Sequence, residues 1–424
     1  MPEDLAHSSS PSAGRNHARL WLAVLAPFVL AHFVSYLYRN VNAVVYPELT
    51  HELGLAADDL GLLTSAYFLM FALAQLPIGV ALDRFGPRKV QAPMLIIAAL
   101  GALWFSQAHS LTDLVIGRGL IGFGVAGSLM AAIKASSLWL PRQKQPLSTA
   151  LLLSVGGLGA LASTTPMHVA LSYTDWRSVF VILSAATLGV SAIIFFVVPE
   201  HPQKVQVKLS DMAIQVVQLY GAWSFWRLTL YTVVAHATYM SVQGLWMGLW
   251  LHDVGHLERS EVADILLAGT VAMVAGTLSF GWATDRFSKK GIQPIFVCGS
   301  GVVLFLLCQG LMIGNVGLSP AWIAVGFSFF GAATTMNYAI VSASVPLHLT
   351  GRVSTSFNLV VFLMAFALQW GLGWMIGLWT PIAGMYPETA YRFALGANLA
   401  LQIPGLLLWF SMKPWHRTHP LEST

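Results

Sequence analysis

The chain has 424 residues, 56% of them hydrophobic and 9% charged, with a mean hydropathy of +0.68 and a formal net charge of +4. A soluble globular domain carries about 25% charged residues, so this composition excludes one and points to a polytopic membrane protein. The two cysteines, Cys298 and Cys308, lie in one apolar run, which excludes a disulfide framework and a thiolate metal site.

Residues 1–19 are polar, with Ser-Ser-Ser-Pro-Ser at 8–12, and are expected to form a disordered tail. The next segment is apolar for about 27 residues, longer than the roughly 7–15 of a signal-peptide core, so it is expected to be an unprocessed span. Apolar runs then recur at about 20–46, 58–82, 91–109, 113–140, 147–170, 177–198, 223–251, 260–283, 293–314, 319–345, 354–379 and 389–411. A helix needs about 20 residues to cross the hydrocarbon core. The expectation is an all-α membrane protein of twelve transmembrane helices. The longest polar break, 199–222, is expected to be a cytoplasmic linker between six-helix bundles at 20–198 and 223–411, with a second tail at 412–424.

Charge gives the orientation. With the N-terminus in the cytoplasm, that side holds Arg15, Arg19, Arg84, Arg88, Lys89, Arg142, Lys144, Lys204, Lys208, Arg227, Arg286, Lys289, Lys290, Arg352, Lys413 and Arg417. The far side holds only Arg177, Arg259 and Arg392, and is acidic through Glu48, Glu52, Asp58, Asp59, Asp253, Glu258, Glu261 and Asp264. This satisfies the positive-inside rule. It implies a multi-pass protein of the cell inner (plasma) membrane with both termini cytoplasmic. The basic balance is then topological, and no nucleic-acid partner is expected.

Two short loops repeat. GVALDRFGPRKV (79–90) comes after the second span and GWATDRFSKKGI (281–292) after the eighth, their Asp-Arg-Phe triplets 202 positions apart. LAHFVSY (30–36) and VAHATYM (234–240) match at an offset of 204. Two matches at nearly one offset indicate duplicated halves, the build of many secondary transporters. Gly79, Asp83, Arg84, Gly86, Arg88 and Lys89, with Gly281, Asp285 and Arg286, are candidates for a gate latch that breaks and re-forms as the halves rock.

GVALDRFGPRK resembles the signature loop of the major facilitator superfamily, between helices two and three, and RGLIGFG (118–124) resembles that superfamily's Arg-xxx-Gly-x-Gly motif on helix four. The resemblance covers essentially the whole chain. It implies twelve helices in two pseudo-symmetric bundles, rocking by alternating access around a cavity lined mainly by helices one, four, seven and ten.

An arginine inside a span costs roughly 2.5–3.5 kcal/mol on insertion scales, so Arg39 needs a reason. His32, Tyr36 and Arg39 are spaced four and three and share a helix face. His236, Tyr239, Gln243, Trp246 and Trp250 are spaced three, four, three and four, one polar–aromatic stripe on the seventh span; the repeat offset puts Gln243 opposite Arg39 and His236 opposite His32. Arg118 and Lys134 on the fourth span lie about 160° apart at 100° per residue, so both cannot face one cavity squarely. Asn337 and Tyr338, with Asn358 and Gln369, are further candidates. No Asp or Glu lies within a span except close to its ends, so Arg39, Arg118 and Lys134 are expected to lack carboxylate partners and to need an anion. A carboxylate or phosphate suits a guanidinium fork.

YLYRNVNAVVYPELTHELGL (36–55) resembles the first helix of the organic-anion, sugar-acid and sugar-phosphate permeases of that superfamily. The resemblance implies that Arg39 and Arg118 hold the substrate's anionic group. Proton-coupled relatives carry acids where this chain has Tyr38 and Val125, and the phosphate exchangers carry an arginine where it has Gln243. Coupling could run through His32 or His236, which titrate near neutral pH, or through a counter-anion. The function expected is a secondary active carrier, symporter or exchanger, of a small organic anion, monomeric and without cofactor. The alternatives are a carrier of zwitterionic amino acids or metal-chelating metabolites, and a transporter-like sensor. An enzyme is not expected: the sequence shows no nucleophile–base pair, metal-ligand cluster or phosphate-cradling loop.

Overall fold

The computed structural model describes residues 21–140, 145–200, 217–314, 317–343 and 350–411. Both tails and most of the expected linker lie outside the described residues, and so do Arg15, Arg19, Arg142, Lys144, Lys204, Lys208, Lys413, Arg417 and the side chain of Arg352.

With no water to satisfy backbone groups, a span must hydrogen-bond within itself, and the described chain is helical apart from short connections. Helix α1 comprises a π-turn (Trp21–Leu25) and two segments, Ala26–Asn40 and Asn42–Leu53, broken at Val41. Ala57–Ser106 is one 50-residue rod bent at Gly86; its arms, 57–85 and 87–106, are α2 and α3. Helix α4 is Leu111–Val125 with Ser128–Trp139, α5 is Gln145–Ala162 with Thr165–Tyr173, and α6 is Trp176–Val197. Helix α7 is Trp223–Ser241, a π-turn at Val242–Trp246 and Met247–Asp253; α8 is Arg259–Ser288 and α9 is Pro294–Gly314. Helix α10 is Pro320–Gly331, a 3₁₀ turn at Ala332–Met336 and Asn337–Ala343; α11 is Thr350–Ile376 and α12 is Glu388–Phe410.

Among the described residues, eight helices are long and apolar enough to cross a membrane, or nine if the two segments of α5, bent by 43°, count as one span. The α2–α3 rod is long enough for two crossings, and α1 and α7, divided at Val41 and at the π-turn, are the remaining candidates. The architecture is consistent with the twelve crossings expected, but several are broken where the hydropathy pattern suggests continuous helices.

Lipid tails are as apolar as leucine, so helices associate by close packing and hydrogen bonds, which favours small residues at contacts. The motif glycines of α4 show this. A Cβ on Gly122 would sit 2.4 Å from the Tyr67 carbonyl of α2, and one on Gly124 would sit 2.4 Å from the Ala98 nitrogen of α3. Gly159 of α5 likewise lies against the Phe33 carbonyl of α1, 2.2 Å from an added Cβ. Gly86 has φ 81° and ψ 164°, a conformation open to glycine alone at low cost, and it makes the sharp turn between α2 and α3.

The fold has two ends: a motif side that carries the Asp-Arg-Phe loops, and an acidic side that carries Glu48, Asp253 and Glu258. On the acidic side the two halves touch along several seams, among them Gly248 of α7 against α1, where an added Cβ would lie 2.9 Å from the Ala43 carbonyl. Helices α2 and α11 meet at Gly61 and Gly373, where a Cβ on Gly373 would lie 2.6 Å from the Ala57 carbonyl. The Tyr386 hydroxyl accepts from Ala57 N at 3.0 Å. Helices α5 and α8 are joined by Thr165 Oγ1 donating to Asp264 at 2.9 Å, and α1 and α8 by Arg259 donating to Glu48 at 3.3 Å. The cross-half contacts continue inward to Asn358 Nδ2 donating to Gln75 Oε1 at 2.9 Å. On the motif side, among the described residues, the ion pairs Lys134–Asp83, Lys89–Glu200 and Lys289–Asp285 do not join one half to the other. Among the described residues, the acidic side is therefore the sealed one.

Candidate functional site at the interface of the two halves

Arg39 is next to last in the first long segment of α1, just before the break at Val41. Asn40 donates to the Tyr36 carbonyl at 2.9 Å and Asn42 donates to Thr64 of α2 at 3.0 Å, fixing the chain on both sides of the break. Tyr38 turns outward to Thr187 of α6, 3.1 Å away. Arg39 points the other way, between the halves. Its Cζ lies 4.7 Å from the Tyr36 ring centroid, 5.4 Å from Phe71 of α2 and 5.2 Å from Phe362 of α11. Phe71 and Phe362 stack across the seam at 4.1 Å and 12°. Three ring faces thus stabilise the charge, each by roughly 0.5–2 kcal/mol. Among the described residues no carboxylate pairs with Arg39, and its Nε is buried without a hydrogen-bond partner.

His32 stands one turn below Tyr36, ring edge to face at 4.9 Å. It is buried with both ring nitrogens unpartnered. Gly156 of α5 leaves it room, since a Cβ there would lie 2.9 Å from the imidazole. Across the seam, His236 of α7 holds Thr334 at 2.7 Å through Nδ1 and packs edge-on to Tyr338 at 5.8 Å. His236 and Tyr338 lie within electrostatic reach of Arg39, and Tyr239 lies within reach of Tyr36. The Tyr239 hydroxyl is buried and unpartnered. Tyr338 donates to Asn358 at 2.6 Å, and Asn358 to Gln75, so these groups form one chain from α10 through α11 to α2.

The structure therefore brings together His32, Tyr36, Arg39, His236, Tyr239 and Tyr338. It places the other expected ligands elsewhere. Arg118 is fully enclosed, donates to the Tyr38 carbonyl at 2.8 Å and lies 5.3 Å over the Tyr67 ring. It braces α1 at the residue before Arg39. Lys134 does not lack a carboxylate: its Nζ is 2.7 Å from Asp83 at the motif-side end of α2. Asn337 donates to the Leu228 carbonyl at 3.1 Å and accepts from Tyr231 at 2.9 Å, tying α10 to α7 within one half.

The single stripe expected on α7 is broken. The π-turn at Val242–Trp246 inserts an extra residue, which rotates the rest of the helix by about 100°. Gln243 accepts from Ser328 of α10 at 2.9 Å. Trp246 is driven into the seam between Gly61 and Gly373, its ring 3.4 and 3.2 Å from a Cβ on either.

In the loops, Arg88 donates to the Val198 carbonyl at the end of α6 at 3.2 Å and lies 5.0 Å over Phe195, while Lys89 pairs with Glu200. Arg84 lies over its neighbour Phe85. The second loop is looser: Asp285 and Lys289 pair within one turn at 2.6 Å, both exposed, and Gly281 has open space around it. Gly79, like Arg286, lies on a helix, in α2 and α8 respectively.

Sequence reasoning missed Tyr67, Phe71, Phe362 and Gln75. Tyr67 and Phe71 are one turn apart, a usable signal, but aromatic residues in a span look the same whether they face lipid or a partner helix.

Comparison with known proteins bears on the family and the fold. The model of the Major Facilitator Superfamily matches residues 28–369. The chain is 25% identical to the Probable sulfoacetate transporter SauU of Cupriavidus necator, over 78% of this chain and 80% of that one. It is 22% identical to the Probable L-galactonate transporter of Escherichia coli, over 82% and 81%. Among solved structures it is similar to a bacterial homologue of the human lysosomal transporter Spinster, in an inward-facing and unoccupied conformation, with a TM-score of 0.74, 19% identity and coverage of 95% of this chain and 97% of that one. The fold, the motif glycines and the family match agree, and the chain belongs to the Major Facilitator Superfamily.

Proposed function

We propose that the protein is a secondary active carrier of a small organic anion, with Arg39 as the group that receives the substrate's carboxylate. One observation carries this: a cation sits between the two halves with rings on three sides, a buried Nε without a partner, and no carboxylate paired to it among the described residues. An uncompensated cation in a low-dielectric setting attracts an anion strongly; at 4 Å and an effective dielectric near 20 one pair gains about 4 kcal/mol before desolvation. Relatives named as carriers of sulfoacetate and L-galactonate, both acids, support the same class. The seams supply a route for alternating access. Parting Gly61 from Gly373, Thr165 from Asp264 and Glu48 from Arg259 would open the acidic side to Arg39. By the positive-inside pattern, that side faces outward and both termini face the cytoplasm.

The test is thermal stability of the purified protein in detergent against a panel of small acids, neutral sugars and amino acids, for wild type and Arg39→Gln. A ligand at 100 times its dissociation constant stabilises the native state by about 2.7 kcal/mol. Acids that shift wild type and not Arg39→Gln support the assignment. Neutral or zwitterionic compounds that shift both proteins equally refute it.

A further inference from the structure

We infer that the ring-lined surroundings of Arg39 select a flat, aromatic carboxylate over a polyhydroxylated one. This rests on the anion-carrier assignment above and narrows its substrate class.

The walls are rings contributed by both halves. Tyr36, Phe71 and Phe362 surround the guanidinium, His32 stands edge-on to Tyr36, and His236 stands edge-on to Tyr338. Rings gain from offset or edge-to-face contact with another ring. A planar ligand ring that places its carboxylate on Arg39 enters surroundings made of such faces and edges.

The polar inventory points the same way. Tyr338, Asn358 and Gln75 spend their hydrogen bonds on one another, and His236 spends one on Thr334. Among the described residues, the buried polar atoms near Arg39 without a partner include its own Nε, the two His32 nitrogens and the Tyr239 hydroxyl. One carboxylate and one further polar atom would use most of these. A six-carbon sugar acid brings four or five hydroxyls, each both donor and acceptor. Most would be stranded, and each stranded hydroxyl costs roughly tenfold in affinity.

The experiment compares benzoate, cyclohexanecarboxylate and D-gluconate by thermal shift titration of the full-length protein in detergent. It uses wild type, Arg39→Gln and Phe362→Leu, with Tyr36→Leu as a second ring-removing variant should Phe362→Leu melt too early to titrate. The expected order of affinity in wild type is benzoate, then cyclohexanecarboxylate, then gluconate, with at least tenfold between first and last. All three responses vanish in Arg39→Gln, and the ring-removing variant narrows the gap between benzoate and cyclohexanecarboxylate. Gluconate binding as tightly as benzoate, with both responses lost in Arg39→Gln, overturns the aromatic preference and leaves the anion site standing. No response to any of the three acids in wild type overturns both.

Discussion

Replacing Gly373 by alanine should hold the acidic side open. In the sealed arrangement a Cβ at this position would lie 2.6 Å from the Ala57 carbonyl oxygen and 3.0 Å from Gly61 Cα. Both atoms are backbone, so no side chain can swing aside. Ordinary contact needs about 3.5 Å, and α2 and α11 must part by roughly 1 Å. Overpacking of this kind typically costs about 1–3 kcal/mol, and the cost falls on the sealed state alone. At 1.4 kcal/mol per decade the open population rises about 5- to 150-fold. A reporter on a different seam reads this: Ala263→Cys, at a site 2% exposed beside Glu48, His168 and Arg259, in a chain with Cys298 and Cys308 removed. Its alkylation rate in detergent should rise by the same factor in Gly373→Ala. Gly310→Ala, where an added Cβ meets nothing within 4 Å, should leave the rate unchanged. An unchanged rate in a folded Gly373→Ala protein would refute the idea that the halves move as rigid bodies about this seam.

Arg118→Lys should lower the melting temperature, because lysine lacks the planar fork that reaches the Tyr38 carbonyl; the bond lost is a charge-assisted one, about 1.5–3 kcal/mol. It should keep a measurable acid-induced shift, whereas Arg39→Gln should lose the shift and keep the melting temperature; the opposite pattern would make Arg118 the ligand. Asp83→Asn and Lys134→Met should each cost no more than about 1 kcal/mol, both groups being about one-third exposed, and the double variant should cost less than the sum. Asp175 caps α6 by accepting from Ser178 N at 2.7 Å, and that bond holds its carboxyl below the usual range. A depressed folded-state pKa contributes stability above the unfolded value, near 4, that is lost as pH falls through the folded value. Asp175→Ala should therefore cost about 1 kcal/mol at pH 7, and melting curves at falling pH should show the gap to wild type closing below about pH 4.

Hydropathy exposed the spans because lipid imposes one requirement on every residue that faces it. It could not expose where a span breaks. Nothing in VQGLW (242–246) marks a π-turn, yet that turn carries Gln243 beside Ser328 and Trp246 at the Gly61–Gly373 seam. The glycines at 122 and 124 were legible as a motif, and the close approach of α2 and α3 gives the reason for them.

Charges were legible by type and not by partner. Arg39, Arg118 and Lys134 look alike as cations in spans without carboxylates. Lys134 meets Asp83, 51 positions away in the chain, and Arg118 meets a backbone carbonyl, for which sequence has no symbol. Arg39 meets rings, two of them on α2 and α11, and no carboxylate among the described residues. Subtracting the polar groups spent on neighbours leaves Arg39, His32 and Tyr239 beside one another with capacity unused. A buried polar group without a partner is costly to a fold. Three of them gathered at the interface between two moving halves make sense if a ligand completes them during transport, and the acid panel on Arg39→Gln tests that completion directly.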